Sequence, residues 1–206
     1  MTSLYFVRHA QPDHSSGSDS SFVLTEEGMK DRYYVSELLK DIRLDKACSS
    51  PYQRSLLTIT PAALEHGLEI ITDTRLRERE HGAGGNSSPE MLRKRWEDMS
   101  FHEPGGESLL DTQKRNISAV SEILESCAEK NVLVGTHGTA LSTIINYYDN
   151  SFGFNEFMRI IDLMPWIIRL DFDGTEYKGR QELGYIKKEY HGKNKTERKM
   201  SDDIQP

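Results

Sequence analysis

Two short apolar runs constrain this chain more than anything else in it. Leu4-Tyr5-Phe6-Val7 and Val132-Leu133-Val134 are too short for helices and too uniformly apolar for strands with one wet face. Runs of that kind belong to strands covered by helices on both sides. Both give way abruptly to polar residues, Arg8-His9-Ala10 after the first and Thr136-His137-Gly138 after the second. In open parallel sheets ligands bind beyond the carboxyl ends of the strands. Two histidines delivered to that edge can meet across one site, and the small residue after each lets backbone or ligand come close.

The rest of the chain alternates between strand and helix patterns. Residues 11 to 22 are small and polar and read as a surface loop. Thr25 is placed to cap a helix, with Glu26 and Glu27 at its positive end and Met29, Tyr33, Leu38, Leu39 and Ile42 as its apolar face. Lys46 to Ser49 and Leu68 to Thr72 read as further strands. Between them Ser50-Pro51 opens a helix, with proline near its first position, Arg54 in its first turn and Gly67 just past its end. Pro61 inside that helix predicts a kink or two helical pieces. A charged stretch from Arg75 to His81 leads into Gly82-Ala83-Gly84-Gly85, read as a turn or lid, and then a short helix over 89–99. Arg93-Lys94-Arg95 on that helix reads as a solvated face. Ser108 caps a long helix, and Trp166 to Phe172 with an Asp173-Gly174 turn predicts a hairpin. This alternation specifies an α/β fold with a mostly parallel central sheet. At 206 residues one domain is expected, over residues 1–190, with a polar tail over 191–206.

Composition narrows the function by exclusion. No stretch approaches the ~20 apolar residues of a membrane span, and the N-terminus carries no export signal, so a cytoplasmic protein is expected, without a membrane partner. Cys48 and Cys127 are too few for a disulfide framework and read as core residues. A net charge of −7 argues against a nucleic-acid partner while leaving room for a small anionic ligand. There is no HExxH, no HxH and no cysteine pair at ligand spacing, and the glycine run lacks the Lys-Ser/Thr of a phosphate-binding loop. No metal and no cofactor are expected.

What remains is anion chemistry. Arg8 leaves the same strand end as His9, and Arg54 sits at a helix start, where free N–H groups and a fork of donors suit a phosphate. Phosphoryl transfer is mostly a matter of placing cations around three oxygens, and two arginines with two histidines would supply them.

In order along the chain, Arg8-His9-Ala10, Ser49-Ser50-Pro51 followed by Arg54, Leu76-x-Glu78-x-x-x-Gly82, Pro104-Gly105-Gly106-Glu107-Ser108 and Thr136-His137-Gly138 resemble the histidine phosphatase superfamily. Cofactor-dependent phosphoglycerate mutases and phosphatases of several kinds belong to it. The resemblance implies a three-layer α/β/α sandwich and a phosphomonoester as the small-molecule partner. It implies catalysis by His9, Glu78 and His137: His9 attacks phosphorus to form a phosphohistidine, and Glu78 protonates the leaving alkoxide and then activates water. Arg8, Arg54 and His137 hold the phosphoryl oxygens. Glu80 is the alternative acid, and the spacing to Gly82 favours Glu78. Ala10 stands where the family usually has glycine. Ser15 stands where many members have an asparagine that helps bind the phosphoryl group. Gln11 and His81 are placed to meet the rest of the substrate. The interval from Gly82 to Glu107 is shorter than in mutases, which favours hydrolysis. A metal-independent phosphatase is therefore expected, with a phosphoglycerate mutase and a non-catalytic binder of phosphate ligands as the alternatives.

Overall fold

In the computed structural model, residues 1–83 and 87–188 are described. Gly84, Gly85 and Asn86, and the whole of the expected tail over 191–206 with the two residues before it, lie outside them. Six strands form one sheet: β1 (Thr2–Arg8), β2 (Lys46–Ser49), β3 (Ile70–Thr72), β4 (Asn131–Thr136), β5 (Leu163–Asp173) and β6 (Glu176–Lys187), in the order β3-β2-β4-β1-β5-β6. β3, β2, β4 and β1 run parallel, and the β5–β6 hairpin is added antiparallel beside β1.

The period-2 alternation of the central strands splits the core into two halves. Leu4 and Phe6 of β1, Val132 and Val134 of β4, and Trp166, Ile168, Leu170 and Phe172 of β5 point to one face. There they meet α3 (Pro89–Glu97), α4 (Leu109–Ser126), α5 (Gly138–Tyr148) and α6 (Phe154–Ile160). Tyr5, Val7, Leu133 and Ile167 point to the other face, against α1 (Glu26–Leu39) and α2 (Gln53–Glu65). Fully burying each such side chain contributes roughly 1.5–3 kcal/mol, so the apolar runs fix both the strands and the three layers. Among the described residues no helix is long and apolar enough to cross a membrane.

The caps read from the sequence form as expected. Thr25 accepts the Gly28 N–H, and Ser108 and Asp111 cap α4 reciprocally. Four details differ. Pro51 precedes α2 by two residues, because Ser50 turns the chain by accepting the Tyr52 N–H and Tyr52 becomes the cap. α2 stays one helix through Pro61. The Leu57 carbonyl, deprived of its N–H partner four residues on, takes a hydrogen bond from Arg32 Nη1 instead. Tyr33 is exposed, and Gly28, Val35, Ser36 and Leu39 form the buried face of α1. The third strand is only Ile70–Thr72, since Leu68 closes the C-terminal turn of α2 by donating to the Ala63 carbonyl.

Candidate active site

Parallel pairing sets Arg8 beside Thr136 at the ends of β1 and β4, and the His9 N–H continues the ladder to the Thr136 carbonyl. The His9 and His137 rings therefore face each other edge to face, with centroids 5.3 Å apart. His9 Nδ1 lies 2.8 Å from the Ala10 carbonyl. A carbonyl only accepts, so Nδ1 carries the proton and Nε2 keeps its lone pair. Burial, then the positive charges of Arg54 and Arg8, hold the His9 pKa well below the usual histidine value. His9 is thus a neutral imidazole with a free nitrogen at neutral pH. His137 is lowered in the same direction, by burial first and Arg54 second. Its Nε2 is 2.7 Å from Ser50 Oγ, and its Nδ1 is buried without a hydrogen-bond partner among the described residues.

Both arginines are buried and anchored. Arg8 Nη1 donates to the Ile160 carbonyl at the end of α6 and to the Leu163 carbonyl at the start of β5. Gly138 makes room for it: a Cβ there would lie 3.0 Å from Arg8 Nε and 3.1 Å from Cζ. Arg54 projects from the first turn of α2 between the rings of Tyr52 and Phe22, at 5.1 and 5.9 Å. Its Nη1 donates to the Asp19 carbonyl, and its Nη2 is 3.2 Å from the Asp19 carboxylate. The loop expected over residues 11 to 22 thus folds back onto the site through a short 3₁₀ turn, Asp19–Ser21.

Glu78 reaches the site from the segment after the 3₁₀ turn Thr74–Leu76. Its carboxylate accepts the N–H groups of Arg79, Thr139 and Ala140 at 2.8, 3.1 and 3.0 Å. Two of those donors are free N–H groups of the first turn of α5, so Glu78 caps that helix from another part of the chain. Glu80 is exposed and paired with Arg77.

Arg8, His9, Arg54 and Glu78 line one cavity of about 380 Å³. Gln11, Ser15 and His81 also line it. The Ser15 hydroxyl donates to Asp13, and Gln11 Oε1 accepts the Thr25 hydroxyl. His81 Nδ1 accepts from Arg79 Nη2 at 3.1 Å, and burial and then Arg79 lower the His81 pKa. The outer wall is apolar, with Leu92, Trp96, Leu109 and Phe157. Arg95 belongs to this wall. Of the three basic residues expected on a solvated face it is the exception, being buried and paired with Glu103.

Sequence patterns assign no site role to Ser50, which holds His137, to Asp19, which pairs with Arg54, or to Tyr52, whose ring packs on both His137 and Arg54. Thr58 is a fourth such residue: it accepts the Ala10 N–H at 2.9 Å and so fixes the turn after His9. Only Ser50 lay in a quoted motif.

A sheet covered on both faces, with paired histidines and arginines at its carboxyl edge, defines an α/β protein whose central strands end at a cavity lined by cationic side chains. The chain belongs to the histidine phosphatase superfamily, branch 1, whose sequence pattern matches residues 4–177. It is 29% identical over 169 residues to a 2,3-bisphosphoglycerate-dependent phosphoglycerate mutase from Brucella ovis, covering 74% of this chain and 82% of that one. Its fold is similar to that of Bacillus stearothermophilus YhfR, with a TM-score of 0.71, 22% identity and coverage of 86% and 95%. It is also similar in fold to a phosphoserine phosphatase mutant from Entamoeba histolytica in complex with phosphoserine, with a TM-score of 0.70, 18% identity and coverage of 90% and 96%.

Proposed function

We propose that this protein is a metal-independent phosphatase that hydrolyses small phosphomonoesters through a phosphohistidine on His9. The observation that carries the reading is the state of His9. It is a neutral imidazole with Nδ1 bound to the Ala10 carbonyl, Nε2 unprotonated, and two arginines beside it. That is the form a nitrogen nucleophile needs.

Arg8, Arg54 and His137 Nδ1 would hold the three phosphoryl oxygens, with His9 Nε2 in line with the leaving oxygen. As the N–P bond forms and the O–P bond breaks, Glu78, entering this step as the neutral acid, gives its proton to the leaving alkoxide and becomes the carboxylate. In the second half Glu78 takes a proton from water, the hydroxide attacks phosphorus, and inorganic phosphate leaves His9 free. Ser15, Gln11 and His81 line the same cavity; Ser15 would add a donor to the phosphoryl group, and Gln11 and His81 would meet the rest of the substrate.

The Brucella relative favours a second reading, a phosphoglycerate mutase. The stretch between Gly82 and Glu107 supports hydrolysis: among its described residues, the nine-residue α3 is the one regular element. Hydrolysis of p-nitrophenyl phosphate in excess chelator, between pH 5 and 8, tests the proposal. Turnover in the wild type and its loss in His9→Ala are expected. Phosphoglycerate interconversion that requires a 2,3-bisphosphoglycerate primer, with no hydrolysis, would establish the mutase instead.

A further inference from the structure

Glu78 sits in a segment with no ladder partner for its carbonyls, yet one side chain from α4 satisfies three of them. Arg115 Nη1 donates to the Arg75 and Arg77 carbonyls, both at 2.7 Å, and Nη2 donates to the Glu78 carbonyl at 2.9 Å. Its remaining N–H groups bind the Glu107 carboxylate in a fork, Nε at 2.8 Å and Nη2 at 2.7 Å. Every donor of the guanidinium is engaged.

Glu107 extends the same clamp past Glu78. Its carboxylate accepts the Glu80 N–H at 3.0 Å and the Arg77 guanidinium at 2.8 Å, and its own N–H donates to the Glu80 carbonyl at 2.9 Å. Gly82 and Gly106 let the two stretches meet backbone to backbone. A Cβ on Gly82 would fall 2.5 Å from the Gly106 nitrogen, and one on Gly106 would fall 2.9 Å from the His81 carbonyl oxygen. Neither Arg115 nor Glu107 lines the active-site cavity.

We infer that Arg115, held by Glu107, is the positioning residue for the acid–base carboxylate of Glu78. The inference rests on the proposed role of Glu78. The N-terminus of α5 holds the carboxylate and the Arg115 clamp holds the backbone behind it, so the side chain has one place to be. A proton donor displaced by about 1 Å loses on the order of 100-fold in rate. Lysine cannot replace the clamp, since a point charge with three donors cannot span three carbonyls and a carboxylate.

Leaving-group dependence separates this role from a purely structural one. p-Nitrophenolate departs with little help from an acid, whereas an alkoxide needs the proton. The experiment measures kcat/KM on p-nitrophenyl phosphate and on glycerol 2-phosphate for the wild type, Glu78→Gln, Arg115→Lys, Glu107→Gln and the Glu78→Gln/Arg115→Lys double variant. Arg115→Lys is expected to lose roughly 10- to 100-fold on the alkyl ester and much less on the aryl ester. The double variant should be no worse on the alkyl ester than Glu78→Gln alone. If Arg115→Lys does not fold, Glu107→Gln carries the same expectation with a milder loss. Equal losses on both esters in the clamp variants, with a selective loss in Glu78→Gln, would overturn the clamp and leave the acid in place. Equal losses in Glu78→Gln itself would remove the acid assignment, and the inference would fall with it.

Discussion

Arg54 divides its guanidinium between Asp19 and the place where a phosphoryl oxygen would bind. The Asp19 carboxylate is about half exposed, so water weakens its attraction for the buried Arg54. A phosphate dianion arriving at Arg54 meets that negative charge and must share or displace it. Asp19→Asn should therefore strengthen competitive inhibition by inorganic phosphate roughly twofold to fivefold, with a matching fall in KM. Weaker inhibition in the variant would mean that Asp19 orders Arg54 for substrate. This contact shows where residue-level reading of the sequence stops. His9, His137, Arg8 and Arg54 were legible because each is attached to a patterned strand end or helix start. Asp19 and Arg54 are 35 residues apart, and Ser50 and His137 are 87 apart. Such pairs arise where side-chain tips meet after folding, and no local pattern announces them.

The elements repeat this at larger scale. Caps, strands and the hairpin were readable because they depend on neighbours in the chain. The two helical pieces predicted at Pro61 were not found: α2 runs on as one helix, and Arg32 on α1 supplies the donor that the Leu57 carbonyl lacks. The short helix α6 carries no sequence signal strong enough to be singled out, yet its end supplies a carbonyl that anchors Arg8. Gly138, at the first position of α5, was read as leaving room for backbone or ligand, and the neighbour it admits is the Arg8 side chain. Gly138→Ala tests that fit. Alanine favours a helix over glycine by up to about 1 kcal/mol, so thermal stability should change little. The added methyl would push the Arg8 guanidinium off its position, and kcat/KM on p-nitrophenyl phosphate should fall by roughly tenfold or more. Unchanged kinetics would show that Arg8 can shift without cost to phosphate binding.

For the whole molecule, two apolar runs were enough to fix a doubly covered sheet, because alternate residues of each strand feed opposite core halves. The same enclosure buries His9 and His137, and this makes stability depend on pH. Burial and the arginines lower both folded-state pKa values below the ordinary histidine value of 6.5, which the unfolded chain keeps. As pH falls through 6.5 the unfolded chain takes up protons that the folded one refuses, so the unfolded state gains and stability drops. Above 6.5 both states are neutral at these positions and the effect vanishes. Between pH 7 and 5 each histidine can cost the fold no more than about 2 kcal/mol. The paired carboxylates of Asp73, Glu103 and Glu107 are lowered from ordinary values of 3.8, 4.5 and 4.5, so their contribution is lost only at more acidic pH. Urea midpoints measured from pH 7.5 to 5 should fall steadily below about 6.5, and the slope should flatten in His9→Gln. An unchanged slope in that variant would place the proton uptake elsewhere and would contradict a neutral His9, the form on which nucleophilic attack depends.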